Sequence, residues 1–100
     1  MSEESVAFDA RRARRIHARI PVSLIETSIA GKVEYAAAML DLSELGMRVH
    51  ADVALSPGQQ IEVRLSRRPE PCRVAWVGPK GSLRQSQVGL EFTSPLPGSA

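Results

Sequence analysis

Five arginines fall within nine residues in "RRARRIHAR", at Arg11, Arg12, Arg14, Arg15 and Arg19, directly ahead of the apolar "IPVSLIE". A guanidinium keeps its charge at any physiological pH and offers paired N–H donors in a planar fork that matches the oxygens of a phosphate. The same fork fits the O6 and N7 acceptors of guanine. Arg15 and Arg19 could therefore hold a phosphate with one fork and a guanine edge with the other. Charge alone also supports a blander reading, in which a terminal arginine run is a solvated tag or a generic anion patch.

A second stretch with chemical potential is "DLSELGMRV", where Asp41, Ser43 and Gly46 follow one another at spacings of two and three. As local structure it reads as an Asx- or Ser-stabilised turn that needs a glycine, expected at positive φ, to reverse the chain. Asp41 has a functional reading too. A carboxylate accepts from donors such as the N1–H and exocyclic amine of guanine, and the Ser43 hydroxyl can donate to a phosphate or base oxygen.

Catalysis finds no support. The two histidines, His17 in the arginine segment and His50 on a strand's outer face, lie in no context that suggests a nucleophile. No H-E-x-x-H, G-x-S-x-G or Walker motif occurs, and no glycine-rich loop links a strand to a helix. Cys72 is the single cysteine, so an intrachain disulfide and a cysteine metal cluster within one chain are both excluded. In its alternating run Cys72 reads as a small core side chain.

The elements that must carry these residues are short strands. "IPVSLIETS" is β-rich and runs into a turn centred on Gly31. "KVEYAAAMLDLS" opens with alternation at Val33 and Tyr35, although Ala36 to Ala38 carry helical propensity. "GMRVHAD" alternates Met47, Val49 and Ala51 against Arg48, His50 and Asp52. Pro57 and Gly58 mark a turn. "IEVRL" then puts Ile61, Val63 and Leu65 on one face. "PCRVAWVG" does the same for Cys72, Val74 and Trp76, and "QVGLEF" for Val88, Leu90 and Phe92. Six such strands with Gly/Pro-bearing turns predict an antiparallel meander closing into a small barrel or sandwich. With only four aromatics, Trp76, Phe92 and Tyr35 are expected to anchor the core. The arginine segment itself also fits a short basic helix, with Arg11, Arg15 and Arg19 at i, i+4, i+8 and Pro21 ending it.

One hundred residues suffice for one core and not two. Hydrophobic residues at 43% and charged residues at 24% are ordinary for a globular domain. The net charge of +2 resides wholly in the first nineteen residues, so an anionic partner should be sought there. No apolar run approaches membrane-spanning length and no signal-peptide h-region follows the first methionine, so a soluble, cytoplasmic chain without membrane attachment is expected.

Arg15-x-x-x-Arg19 just before "IPV", followed by Asp41-x-Ser43-x-x-Gly46, resembles the PilZ domain, and the likeness extends from Arg14 to Phe92 through "PGQQIEVRL", "RVAWVG" and "VGLEF". The resemblance implies an all-β, six-stranded antiparallel barrel and a bacterial receptor for the second messenger cyclic di-GMP. It puts Arg15 and Arg19 on phosphates and guanine edges, Asp41 and Ser43 on a guanine, and Gly46 in the turn. Arg14, at the position tied in the family to ligand stoichiometry, leans toward a stacked pair of ligands. Arg11 and Arg12 fall outside the motif and add long-range attraction.

The expected organisation is therefore a flexible basic arm over residues 1–13, a barrel over 14–94 and a disordered tail over 95–100, with little or no C-terminal helix. The family often ends in such a helix, and its lack here makes a homodimer a natural cover for exposed apolar surface. The expected function is a free-standing receptor, with no metal and no cofactor beyond the ligand. Its arm would close on the nucleotide and signal to a downstream protein partner. Two alternatives stay open: a nucleotide-independent adaptor, and a small β-barrel nucleic-acid binder using the basic arm. The neutral barrel and the few aromatics disfavour the latter.

Overall fold

The computed structural model describes residues 16–93, without the side chain of Ile16. Six strands follow one another: β1 (Ile16–Ser28), β2 (Gly31–Leu42), β3 (Gly46–His50), β4 (Gln60–Arg64), β5 (Pro69–Val77) and β6 (Gln87–Phe92). They close into an antiparallel barrel in the order β1-β2-β3-β6-β5-β4. The six strands and the barrel agree with expectation, but the path is not a simple meander. Residues 51–59 carry the chain from β3 to β4, and the neighbour of β3 is β6.

Closure is made by β1 and β4 through Ser23↔Arg64, Leu24↔Val63 and Ile25↔Glu62. The segment expected to have helical potential is strand from Ile16 onward, and Pro21 lies inside β1 rather than ending a helix. It is tolerated there because β4 pairs only with Ser23 to Ile25, leaving the edge beside Pro21 without a ladder to interrupt. The Ala36–Ala38 run is likewise strand, tied to β1 through Ser23↔Ala36, Val22↔Ala37 and Pro21↔Ala38. Gly31 (φ 123°) and Gly58 (φ 91°) occupy the left-handed region at the two turns read from glycine.

Alternation fills the barrel interior as expected from β3, β4 and β6: Met47, Val49, Ile61, Val63, Val88 and Leu90 are all buried. The aromatic anchors are not borne out. The largest fully buried side chains are Leu24, Met39, Met47 and valines, with Cys72 among them. Tyr35 and Phe92 pack against this cluster from its margin, and Trp76 lies outside it. Burial pushes the Cys72 thiol up to about 12, so it is an inert core group. The stability this contributes is present at neutral pH and is lost as pH rises from about 9, the unfolded value, toward 12.

Candidate functional site: a cleft built on two bulges

A strict two-residue period would point Tyr35, Ala37, Met39 and Asp41 all into the barrel. A bulge between Met39 and Asp41 prevents this. β2 pairs with β3 as Met39↔Val49 and then Asp41↔Arg48 and Leu42↔Met47, leaving Leu40 as the extra residue. Past the bulge Leu42 packs on the core, and Asp41 shares the outer face with Arg48. Arg48 Nε donates to Asp41 Oδ2 at 2.9 Å, and its Nη1 donates to Gln87 Oε1 at 3.0 Å. The carboxylate is held in place, its side chain only 5% exposed.

A second bulge, between Val74 and Trp76, performs the same inversion on β5. Val74 pairs with Leu90 and Val77 with Val88, while Trp76 pairs with Gly89 on the outer face. This explains why Trp76 is no core anchor. Gly89 has no side chain, and the indole fills the space. A Cβ at Gly89 would stand 2.1 Å from Trp76 Nε1. Arg84 caps the indole, its guanidinium carbon 5.4 Å from the ring centroid.

Because Arg48 also pairs with Gly89, the outer face carries one row across four strands: Asp41, Arg48, Gly89, Trp76. His17 of β1 continues it opposite Asp41. Asp41, Arg48, Gly89 and Trp76, with Ser43 and Gly46, line a cleft of about 500 Å³. Its floor combines a carboxylate, a hydroxyl and a flat indole capped by a guanidinium. Such a set can bind a polar ring by hydrogen bonds at its edge and by stacking on its face. Gly89→Ala is expected to displace the indole, red-shifting the emission of the chain's single tryptophan and lowering stability by about 1–3 kcal/mol. Unchanged fluorescence would show that the indole does not rest on residue 89.

The turn between β2 and β3 is closed by Ser43 N–H donating to the Gly46 carbonyl at 2.9 Å. The Leu45 N–H donates to Ser43 Oγ at 3.1 Å. Ser43 is thus turn-forming, as its type predicts, and buried, and among the described residues its O–H finds no acceptor. Gly46 corrects the expectation of positive φ, since among the described glycines only Gly31, Gly58 and Gly81 adopt it. What Gly46 supplies is space. A Cβ there would lie 2.1 Å from the Leu90 carbonyl oxygen of β6.

Asp41, Ser43 and Gly46 thus share the cleft, whereas Arg19 is exposed on β1 beside the bulge between His17 and Ile20. Arg14 and Arg15, like the arm and tail boundaries, lie outside the described residues. Sequence reading missed Arg48, Trp76, Arg84 and Gly89. The first was legible in principle, because a two-residue turn at 44–45 sets Ser43 against Gly46 and residue 41 opposite residue 48.

The PilZ domain family model matches residues 10–100. The chain belongs to the PilZ domain family. Among solved structures, the PilZ domain resembles Escherichia coli YcgR in complex with c-di-GMP, with a TM-score of 0.62 and 19% identity over 87% of this chain. It spans 39% of that YcgR chain. It also resembles the isolated PilZ domain of YcgR with c-di-GMP, with a TM-score of 0.59 and 19% identity, covering 87% of this chain and 80% of the other. At this identity the likeness establishes the fold. No curated protein matches the chain significantly. No helix among the described residues is long and apolar enough to cross a membrane.

Proposed function

We propose that this PilZ domain is a receptor for cyclic di-GMP and that it signals by binding rather than by catalysis. The observation that carries the reading is the pairing at the rim of the cleft. Ile16 stands opposite Leu42 and His17 opposite Asp41, so β1 begins beside the acid–hydroxyl corner. In sequence the basic segment runs directly into this end of β1. This continuity supports reading the basic segment and the D-x-S-x-x-G turn as parts of one site.

In this site Arg14, Arg15 and Arg19 neutralise the ligand's two phosphates and reach the guanine edges. Asp41 accepts from the guanine N1–H and exocyclic amine, while Ser43 donates its hydroxyl proton to a phosphate or base oxygen. Trp76 and Arg84 offer the flat surface for a purine. The cleft's 500 Å³ lies in the range of ligand pockets. Arg14 favours two stacked nucleotides over one. The arm closes over the ligand, and the composite surface of protein and nucleotide is what a partner protein reads.

Calorimetric titration with cyclic di-GMP, with GTP and cyclic di-AMP as controls, tests this directly. The wild type is expected to bind cyclic di-GMP alone. Arg19→Ala, an exposed change that leaves the barrel folded, is expected to weaken binding about tenfold to a hundredfold through loss of a charge-assisted contact. Equal affinity in the variant would overturn the arm's role. Salt-steep, sequence-indifferent binding of RNA or DNA would replace the proposal with a nucleic-acid function.

A further inference from the structure

The β1–β2 hairpin outgrows the barrel. β1 meets β4 only at Ser23 to Ile25, and β2 meets β3 only from Ala38 onward. Residues 31–37 of β2 therefore pair with β1 on one side and with no described strand on the other. The two-residue turn at Ile29 and Ala30 makes Ser28 and Gly31 a directly hydrogen-bonded pair. Antiparallel alternation then turns the N–H and C=O of Val33 and Tyr35 toward β1, and those of Lys32 and Glu34 toward the free edge. The hairpin is stiff. Tyr35 Oη donates to Glu26 Oε1 at 3.1 Å, and Gln59 Nε2 donates to Glu26 Oε2 at 2.8 Å, binding it to the 56–59 turn.

An open edge without proline or bulge is a template for another strand. Here its side chains select which one. We propose that this edge pairs antiparallel with the same edge of a second copy of the chain, about a two-fold axis through Val33. In that register Lys32 meets Glu34 of the second copy, and Glu34 meets its Lys32. These are the residues whose backbone groups face outward, so each pair exchanges both hydrogen bonds. Opposite charges then stand directly across the new ladder. Within each copy Arg64 Nε already donates to Glu34 at 3.2 Å, and Lys32 lies 3.8 Å from Glu62. Pairing joins these into one row of alternating charge.

On the other face Val33, 48% exposed, packs against its counterpart. The same register brings the fully exposed Ile29 at the hairpin tip level with Ala37 of the second copy. There a groove of about 370 Å³ runs between Tyr35–Ala38 and His50–Val53. Symmetry makes the match twice, as an isologous contact requires. Neighbouring registers fail. A two-residue slip one way sets Lys32 against Lys32, and the other way Glu34 against Glu34.

Sedimentation of the unliganded chain, with two kinds of variant, tests the interface independently of nucleotide binding. The wild type is expected to show a monomer–dimer equilibrium. Lys32→Glu sets like charges opposite each other twice and is expected to weaken it about tenfold or more. Adding Glu34→Lys restores opposite charges at both pairs and should restore the dimer, although it breaks both intrachain ion pairs. Val33→Cys should form a disulfide across the axis under mild oxidation, since the Cα separation of such a pair suits one. Thr27→Cys, exposed on the same hairpin but on β1, should not. A monomeric mass at every concentration would overturn the proposal. So would identical behaviour of the single and double charge variants, or equally fast crosslinking of Thr27→Cys and Val33→Cys.

Discussion

Gly46→Ala is expected to destabilise the barrel by about 2–3 kcal/mol, although alanine is the smallest step up in size. The added methyl would meet the Leu90 carbonyl oxygen at 2.1 Å and the Leu90 carbonyl carbon at 3.1 Å, both backbone atoms of the neighbouring strand. A side chain could rotate away, but a strand cannot. Gly46 pairs with Glu91, and the adjacent Leu45 carbonyl accepts from the Phe92 N–H at 3.0 Å, so β3 and β6 are bonded on both sides of the clash. Relief must come from opening this seam, which also carries the Ser43 turn. Denaturant unfolding should show a lower midpoint at unchanged slope. Gly46→Asn separates this cause from a turn requirement. Asparagine tolerates left-handed backbone and would rescue a positive-φ position, yet here it should be at least as damaging as alanine. Wild-type stability in the asparagine variant would contradict the close-approach argument.

The contrast between Gly46 and Gly89 on one side and Gly31 and Gly58 on the other shows where sequence reading works. Glycine beside proline or between strand runs announces a turn, and both φ values agree. Glycine at a strand's start or middle announces close approach, and what approaches is set by a strand distant in sequence. The barrel's lining was legible wherever alternation ran unbroken, as in Met47-Arg48-Val49 and Ile61-Glu62-Val63. It failed at the two bulges. Leu40 and Ala75 look like ordinary strand residues, yet each shifts the period by one and exchanges the faces that follow. Trp76, assigned to the core on alternation, ends outside it for that reason. Asp41 reaches the cleft for the same reason. The D-x-S-x-x-G turn was recognisable by residue type, and counting back from it sets Arg48 opposite Asp41, whereas Gly89 and Trp76 reach the same row only through strands distant in sequence.

Asp41→Ala is expected to weaken cyclic di-GMP binding by more than about a hundredfold, because a carboxylate accepting two guanine donors contributes about 1.5–3 kcal/mol per bond. The same change touches stability by a separate route. Arg48 Nε loses its acceptor at 2.9 Å, and the guanidinium, 29% exposed on its side chain, keeps Gln87. The expected destabilisation is about 1–2 kcal/mol, below that for breaking a fully buried pair, since solvent reaches Arg48 in part. A loss of affinity could then be blamed on a loosened barrel. Adding Arg48→Met to Asp41→Ala removes the stranded cation and fills its stem with apolar volume, so stability should recover. Affinity should not, because no acceptor returns for the guanine edge. Recovery of both would make Asp41 a structural partner of Arg48 alone, and recovery of neither would mean that the stranded Arg48 cation is not what destabilises Asp41→Ala. Stability regained with binding still absent is the outcome that makes Asp41 a ligand contact in its own right.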